Sequence, residues 1–552
     1  MPPLKPTAES RVLPEGWRAA GRDPDGPAVL RDARGTPFLR TWYHAAARVA
    51  ATGIENDRKI TLRFEARRSP SAASRSPQAG VSPGGLDWYG SQWMFVDAFR
   101  HSMPWRSSDK NVPLDLDDKG WVESLQPGQT ATTTIYSGAA PHYPGGIYLV
   151  RYEGEGRLRF SGSAEAVESS DGLEQLKINP EQGPIEIQLL ETNPDNPLRN
   201  LQLIPERFAK SGNDARFHPD FLALCRPFDL IRFTHLMKAG DAAPVQWGSR
   251  VTPESQTQAG RGGIALEHAI ALCNQLGAAA WFTIPVAADA DYMRTYATMV
   301  EEQLDPELPV YVEYGDDVGV WPTKSSQYCI EHGKAAGLSE DAGQARSLYY
   351  AQRSAELFDI WEEVFESDPR LITVLNPIDD DACRHAGAAE KADAAGMVTL
   401  FGQNFGKLAN IDHLLETPLN TLMEELAEVA EVNDGVHKAI TRAKQFDLEP
   451  VSFYMTPIIC PLGPIREKRG AETQAAVEAK TLAMLQHPEM EPIFERYIAS
   501  WKAAGGGLWV NEGLVAKPSR WGWFGLLQQM DESPLESPKF RAVVDAIGKE
   551  RQ

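Results

Sequence analysis

The chain of 552 residues exceeds what one hydrophobic core accommodates, so two or three domains are expected. Its 42% hydrophobic and 24% charged content is ordinary for globular domains, and no apolar run reaches the roughly 18 residues that would suggest a membrane-spanning helix. With 76 acidic against 55 basic side chains the formal charge is −21, a sign that repels phosphate backbones and argues against a nucleic-acid partner.

From the N-terminus, MPPLKPTAES lacks the basic-then-apolar order of a secretory signal, and the compartment stays open. Residues 1–83 read as a poorly structured extension and linker, because ARRSPSAASRSPQAGVSPGG (66–85) has a Ser/Pro/Ala/Gly composition that buries no core. Residues 84–205 read as a small antiparallel, sandwich-like β module. GGIYLVRYEGEGRLRFSG (145–162) has two alternating runs around a Gly-Glu-Gly turn, a hairpin pattern, and PIEIQLLET (184–192) and LRNLQLIP (198–205) alternate as strands do. The stretch LDWYGSQWMFVDAFRHSMPW (86–105) carries Trp88, Trp93 and Trp105; packing of the core and of the domain boundary is weighed there against stacking on sugar rings.

Residues 206–545 change to strand, loop and long helix in alternation. The expected strands are 229–236, 244–248 (PVQWG), 279–286, 308–317, 371–376, 396–402, 450–455 and 507–513. Helical stretches lie between them, such as 265–277 and 345–366, with apolar residues at three- and four-residue steps. Eight short apolar strands alternating with helices give an α/β chain, a (β/α)8 TIM barrel preceded by the β module. Substrates of such barrels bind at the carboxyl ends of the strands. Five scattered cysteines and 11 histidines show no metal-ligand spacing, so buried free thiols, no metal and no cofactor are expected.

With the strand ends in view, the chain resembles the retaining glycoside hydrolases of the two-glutamate (β/α)8 clan, and more closely a bacterial group labelled cellulose-binding proteins. The resemblance covers most of residues 86–545 and rests on the order of QWMFVDAFRHSMPW, YPGGIYLVRYEGEG, FHPDFL with IRFTHLM, WFTIP, DPELPVYVEYGDDV, YYAQRSAELFDIWEEVF and WKAAGGGLWVNEGLVAKPSRWGWFG. It implies a carbohydrate or polysaccharide partner. The clan's chemistry needs two carboxyl groups about 5–5.5 Å apart. At the end of the fourth strand, where the resemblance implies Asn-Glu, this chain has Asp316-Asp317, either a working acid pair or a solvated loop pair. At the end of the seventh, where a Tyr-Glu pair is implied, it has Tyr454-Met455, and a thioether cannot attack an anomeric carbon. No acid lies between Glu449 and Glu467 to take that role. Other strand ends depart as well, with Thr234-His235, Thr283, Val286 and 398–401 in place of the clan's residues.

Three functions follow. The first is a polysaccharide-binding protein on a degenerate barrel, with Trp321, His235, Trp281, Tyr314, Asn376, Tyr454 and Trp509 as candidate ligand contacts. The second is an active glycosidase in which Asp317 is the general acid, beside Asp316, with Glu512 as a relocated partner. The third is a structural or interaction protein that uses the barrel as scaffold. For Trp281 core packing competes with the ligand role, and for Glu512 a structural or solvated acid does.

Overall fold

The computed structural model divides the chain into two units, Met1–Arg75 and Ser76–Gln552. It describes residues 77–552 apart from 168–173, 210–215, 241–244, 321, 377–378, 460–464, 520–521 and 551–552. Of the first 76 residues only strand backbones are described, among them the antiparallel pair Ala47–Ile54 and Lys59–Ala66.

Eight parallel strands close a barrel: β1 (Ala79–Ser82), β2 (Leu230–Arg232), β3 (Ala279–Ile284), β4 (Val310–Tyr314), β5 (Leu371–Leu375), β6 (Ala394–Phe401), β7 (Glu449–Pro457) and β8 (Trp509–Glu512). The sequence places seven of them. They are short, β-branched or aromatic runs buried on both faces, as strands between a filled barrel and a helical layer must be. Helices Leu266–Leu276 and Ala342–Val364 fall where the apolar periodicity puts them.

The remaining strand corrects the expectation. Among the described residues of PVQWG, 245–248, there is no barrel strand, and Trp247–Ser249 is a single 3-10 turn. The barrel closes instead through AGVS at 79–82, within the tract read as linker, so the barrel begins ahead of residue 206. The reason is steric. A Cβ on Gly80 would lie 2.8 Å from Leu230 Cδ2 and 3.1 Å from Val510 Cγ2, so only a small residue fits between β2 and β8. Parallel pairing on both sides satisfies its backbone without any apolar run.

The β module lies between β1 and β2. It has two four-stranded antiparallel sheets, ordered Gly156–Gly162, Ile185–Thr192, Ala131–Ile135, Arg106–Ser107 and Ala164–Val167, Gln175–Ile178, Gly146–Glu153, Arg199–Pro205. The two runs expected to pair as a hairpin therefore belong to different sheets. Gly154 turns the chain between them at φ +85°, with its would-be Cβ 2.1 Å from Pro197 O. A Gly-rich turn between alternating runs suits such a corner as well as a hairpin, and only packing decides between them. Trp93 and Trp105 are buried, as the packing reading expects, whereas Trp88 is half-buried.

Cys225, Cys273, Cys329 and Cys383 are free and buried. Among the described residues no helix is long and apolar enough to cross a membrane.

Candidate functional site at the barrel mouth

Residues paired across parallel strands face the same way, and successive residues alternate. Gly80, Leu230 and Val510 form one row, and Leu230 and Val510 belong to the barrel core with Trp281, Tyr311, Val374, Val451 and Phe453. Two residues further along, the inward rows deliver charge: Arg232 on β2, Glu313 on β4 and Glu512 on β8. All three are almost fully buried.

Arg232 is the hub. Its Nε and Nη2 donate to Glu313 Oε1 at 3.1 and 2.5 Å, and Nη2 lies 3.7 Å from Asp316 Oδ1. Its guanidinium carbon sits 4.8 Å from the Phe453 ring centre and 5.5 Å from that of Trp281. Thr283 Oγ1 also donates to Glu313 Oε1, at 2.5 Å, and touches the hydroxyl of Thr234. Burial works against the guanidinium charge, but Glu313, Asp316 and Glu512 more than offset it, so the cation is held firmly.

Above this layer lies a second pair. His235, just beyond β2, meets Glu512 Oε1 at 2.7 Å. Burial opposes the imidazolium, yet Glu512, and behind it Asp316, lift its pKa to about 9. The other oxygen, Glu512 Oε2, is buried with no hydrogen-bond partner.

The acidic pair leaves β4 through a constrained turn. Gly315 has φ +71°, and a Cβ there would meet Val286 Cγ1 and Val318 Cγ2 at 2.7 Å each. Asp317 follows at φ +51°, a left-handed conformation that Asp tolerates better than most residues. Burial raises the Asp316 carboxyl, as do Glu313 and Glu512, while His235 and Arg232 pull it down. Asp317 is lifted to about 7, by burial first and by the neighbouring Asp316 charge second.

Tyr454 and Phe524 supply the apolar wall. The Tyr454 ring is edge-on to Phe524 at 5.8 Å and to His235 at 6.3 Å. Burial and the carboxylates of Glu512, Asp317 and Asp316 push its phenol well above the usual tyrosine range. The loop carrying Phe524 is fixed from behind: buried Lys539 Nζ donates to Trp523 O and Phe524 O at 2.9 and 3.4 Å. Burial lowers that amine to about 7. A cavity of about 220 Å³ flanks the same loop, lined by Leu482, Leu485, Leu527 and Pro538, away from the acidic pair.

The structure thus brings together Asp316, Asp317, Glu512, His235 and Tyr454. Tyr314, Trp281 and Trp509 are elsewhere. Tyr314 is fully buried, its hydroxyl donating to Val286 O at 2.5 Å, its ring against Tyr350 and Arg353 of the helix Ala342–Val364. Trp281 is core, stacked on Tyr311 at 5.4 Å below the mouth. Trp509 pairs in register with Ser452 and is fully buried on the helix side of β8. Asn376 is half-buried just past β5, its N–H donating to Tyr350 Oη at 2.8 Å. Trp321 lies outside the described residues.

Met455 departs most from expectation. It is in register with Thr399 on β6 and Asn511 on β8, the rows that face the helices, and it is fully buried. Its neighbour Tyr454, paired with Val398 across a bulge, takes the inward position at the end of β7. A bulge adds one residue to one strand and so reverses the side that later residues face. Sequence reading also missed Arg232 and Glu313. Their signal was one charged residue inside each apolar run, LIRF and VYVEY, with opposite signs.

No protein-family model and no curated protein matches the chain. Solved structures similar to it include beta-glucuronidase 2 of Bacteroides uniformis, at 12% identity and TM-score 0.28, covering 79% of this chain and 49% of that one. A GH5-4 broad-specificity endoglucanase from Clostridium acetobutylicum matches at 10% identity and TM-score 0.28, over 58% of this chain and 86% of its own. An endo-1,4-beta-D-mannanase from Thermotoga petrophila matches at 10% identity and TM-score 0.29, over 60% and 94%. The chain spans about half the length of the glucuronidase. Likeness at this level adds nothing to what the closed barrel already shows.

Proposed function

We propose that the barrel mouth binds a carbohydrate, and that it does so without retaining two-glutamate chemistry. The observation that carries this reading is the convergence of Asp316, Asp317, Glu512 and His235 beside the rings of Tyr454 and Phe524, at the carboxyl end of a closed parallel barrel. Carboxylates and an imidazole suit sugar hydroxyls, and aromatic rings suit the apolar faces of sugar rings. A retaining mechanism needs a second carboxylate about 5–5.5 Å from the acid, and the resemblance of the sequence to the two-glutamate clan puts it at the end of β7. The inward side chain there is Tyr454, a phenol kept protonated by its surroundings.

A second reading, hydrolysis with Asp317 as general acid, has its own support. A carboxyl lifted to about 7 is protonated where such an acid works. Glu512 would be the second carboxyl of an inverting pair, which needs a separation of about 6.5–9.5 Å.

A glycan-binding array run beside a reducing-end release assay on the same polysaccharides tests both. Binding without release supports the first reading. Release that is lost in Asp317→Asn supports the second. Neither binding nor release leaves the barrel as an interaction scaffold and overturns both.

A further inference from the structure

The charges of the mouth do not balance. Four carboxylates, Glu313, Asp316, Asp317 and Glu512, face two cations, Arg232 and His235. Both cations are already engaged. Arg232 pairs with Glu313, with Asp316 at 3.7 Å and its own Nη1 buried without a hydrogen-bond partner, and His235 pairs with Glu512. Asp317 has no ion pair among the described residues and is partly exposed. Beneath it, Glu512 Oε2 and Asp316 Oδ1 are buried without a hydrogen-bond donor, although the two residues are more than nine-tenths buried. An inward-facing carboxylate oxygen with no donor is costly in a low-dielectric site.

We propose that the ligand of this mouth is a cationic saccharide, one carrying a free protonated amine that settles beside Asp317. The inference rests on the carbohydrate reading above and adds the charge of the sugar.

Two alternatives fit less well. A neutral sugar could donate hydroxyls to the stranded oxygens but would leave Asp317 without a cationic partner. A metal ion needs ligands that converge. Among the described residues the acidic side chains whose oxygens close to within 4.8 Å of one another are Glu491, Glu495 and Asp545, not those of the mouth. An ammonium on a sugar ring needs no such convergence, because Tyr454 and Phe524 can hold the ring while the charge meets Asp317 alone. Val398, 39% exposed and in the row of Tyr454, extends that apolar wall. A charge-assisted hydrogen bond is roughly twice as strong as a neutral one. The ammonium would also pull the Asp317 carboxyl down from about 7, so that binding near neutral pH expels a proton.

Titration calorimetry on the full chain at pH 7 tests this with three probes: a glucosamine tetramer with free amines, its N-acetylated counterpart and a neutral glucose tetramer. The amine-bearing tetramer is expected to bind at least about tenfold tighter than the other two, with heats that depend on the buffer's ionisation and an affinity that falls with salt. Asp317→Asn, which keeps the shape and tolerates the left-handed backbone, is expected to erase that preference. Equal or tighter binding of the neutral or acetylated tetramer overturns the cationic ligand while the carbohydrate reading stands. No binding of any tetramer overturns the cationic ligand, and the glycan array described above then decides the carbohydrate reading. The comparison among probes on the unaltered protein stands even where the variant fails to fold.

Discussion

His235 and Glu512, 277 positions apart in sequence, meet at 2.7 Å, where they join the turn after β2 to the end of β8, the two strands that flank β1. The pair is what lifts the imidazole. Its charged form is favoured by Glu512 and then Asp316, against burial and Arg232. A folded pKa near 9, above the unfolded value of about 6.5, means the pair's stabilisation is fully present below about pH 6.5 and is lost as pH rises through 9. Glu512→Gln should drop the His235 pKa by at least about one unit, read from its imidazole proton shifts, and should flatten the loss of stability between pH 7 and 9. An unchanged imidazole titration would show that Glu512 does not hold the charge.

Asp317 shifts stability in the same direction but over a lower pH window, because here burial and the Asp316 charge favour the neutral form. Its carboxyl titrates near 7 in the folded chain, above its unfolded value of about 3.9. The folded state therefore binds the proton more tightly, and stability falls as pH rises from about 4 to 7. Asp317→Asn should stabilise the chain at pH 8 by about 1 kcal/mol, discounted for partial exposure, and by almost nothing at pH 4. Urea unfolding at the two pH values checks this.

Arg232 and Glu313 form a nearly fully buried ion pair. Arg232→Met should cost about 3–5 kcal/mol, because it strands a buried carboxylate, whereas adding Glu313→Gln should recover much of that loss. A double-mutant cycle in chemical denaturation measures the coupling. Additive losses would show that the two side chains are independent.

Gly315 sets the course of the acidic pair. Gly315→Ala places a methyl 2.7 Å from both Val286 and Val318 at a positive φ. A loss of about 2 kcal/mol or more is expected, together with any glycan binding, since Asp316 and Asp317 follow directly. Retained binding at lowered stability would separate the turn from the site.

The sequence determined what short-range patterning can encode. Apolar runs of five to nine residues between amphipathic helices implied a barrel, since such runs bury both faces only between a filled interior and a helical layer. The acids that end β4 and β8 were legible for the same reason: a polar residue just beyond an apolar strand lies at the rim. What tertiary structure alone decided depended on partners far away in the chain. AGVS reads as linker by itself and is a barrel strand because Leu230 and Val510 leave room only for glycine at 80. The runs on either side of Gly154 look like a hairpin, yet each finds better partners in a different sheet. Met455 was expected at the mouth, and one bulged residue in β7 turns it to the helices and Tyr454 to the interior. Arg232 and Glu313 stood in the sequence as isolated charges in apolar strands. Closure of the barrel made them a pair, because β2 and β4 face each other only once β3 lies between them.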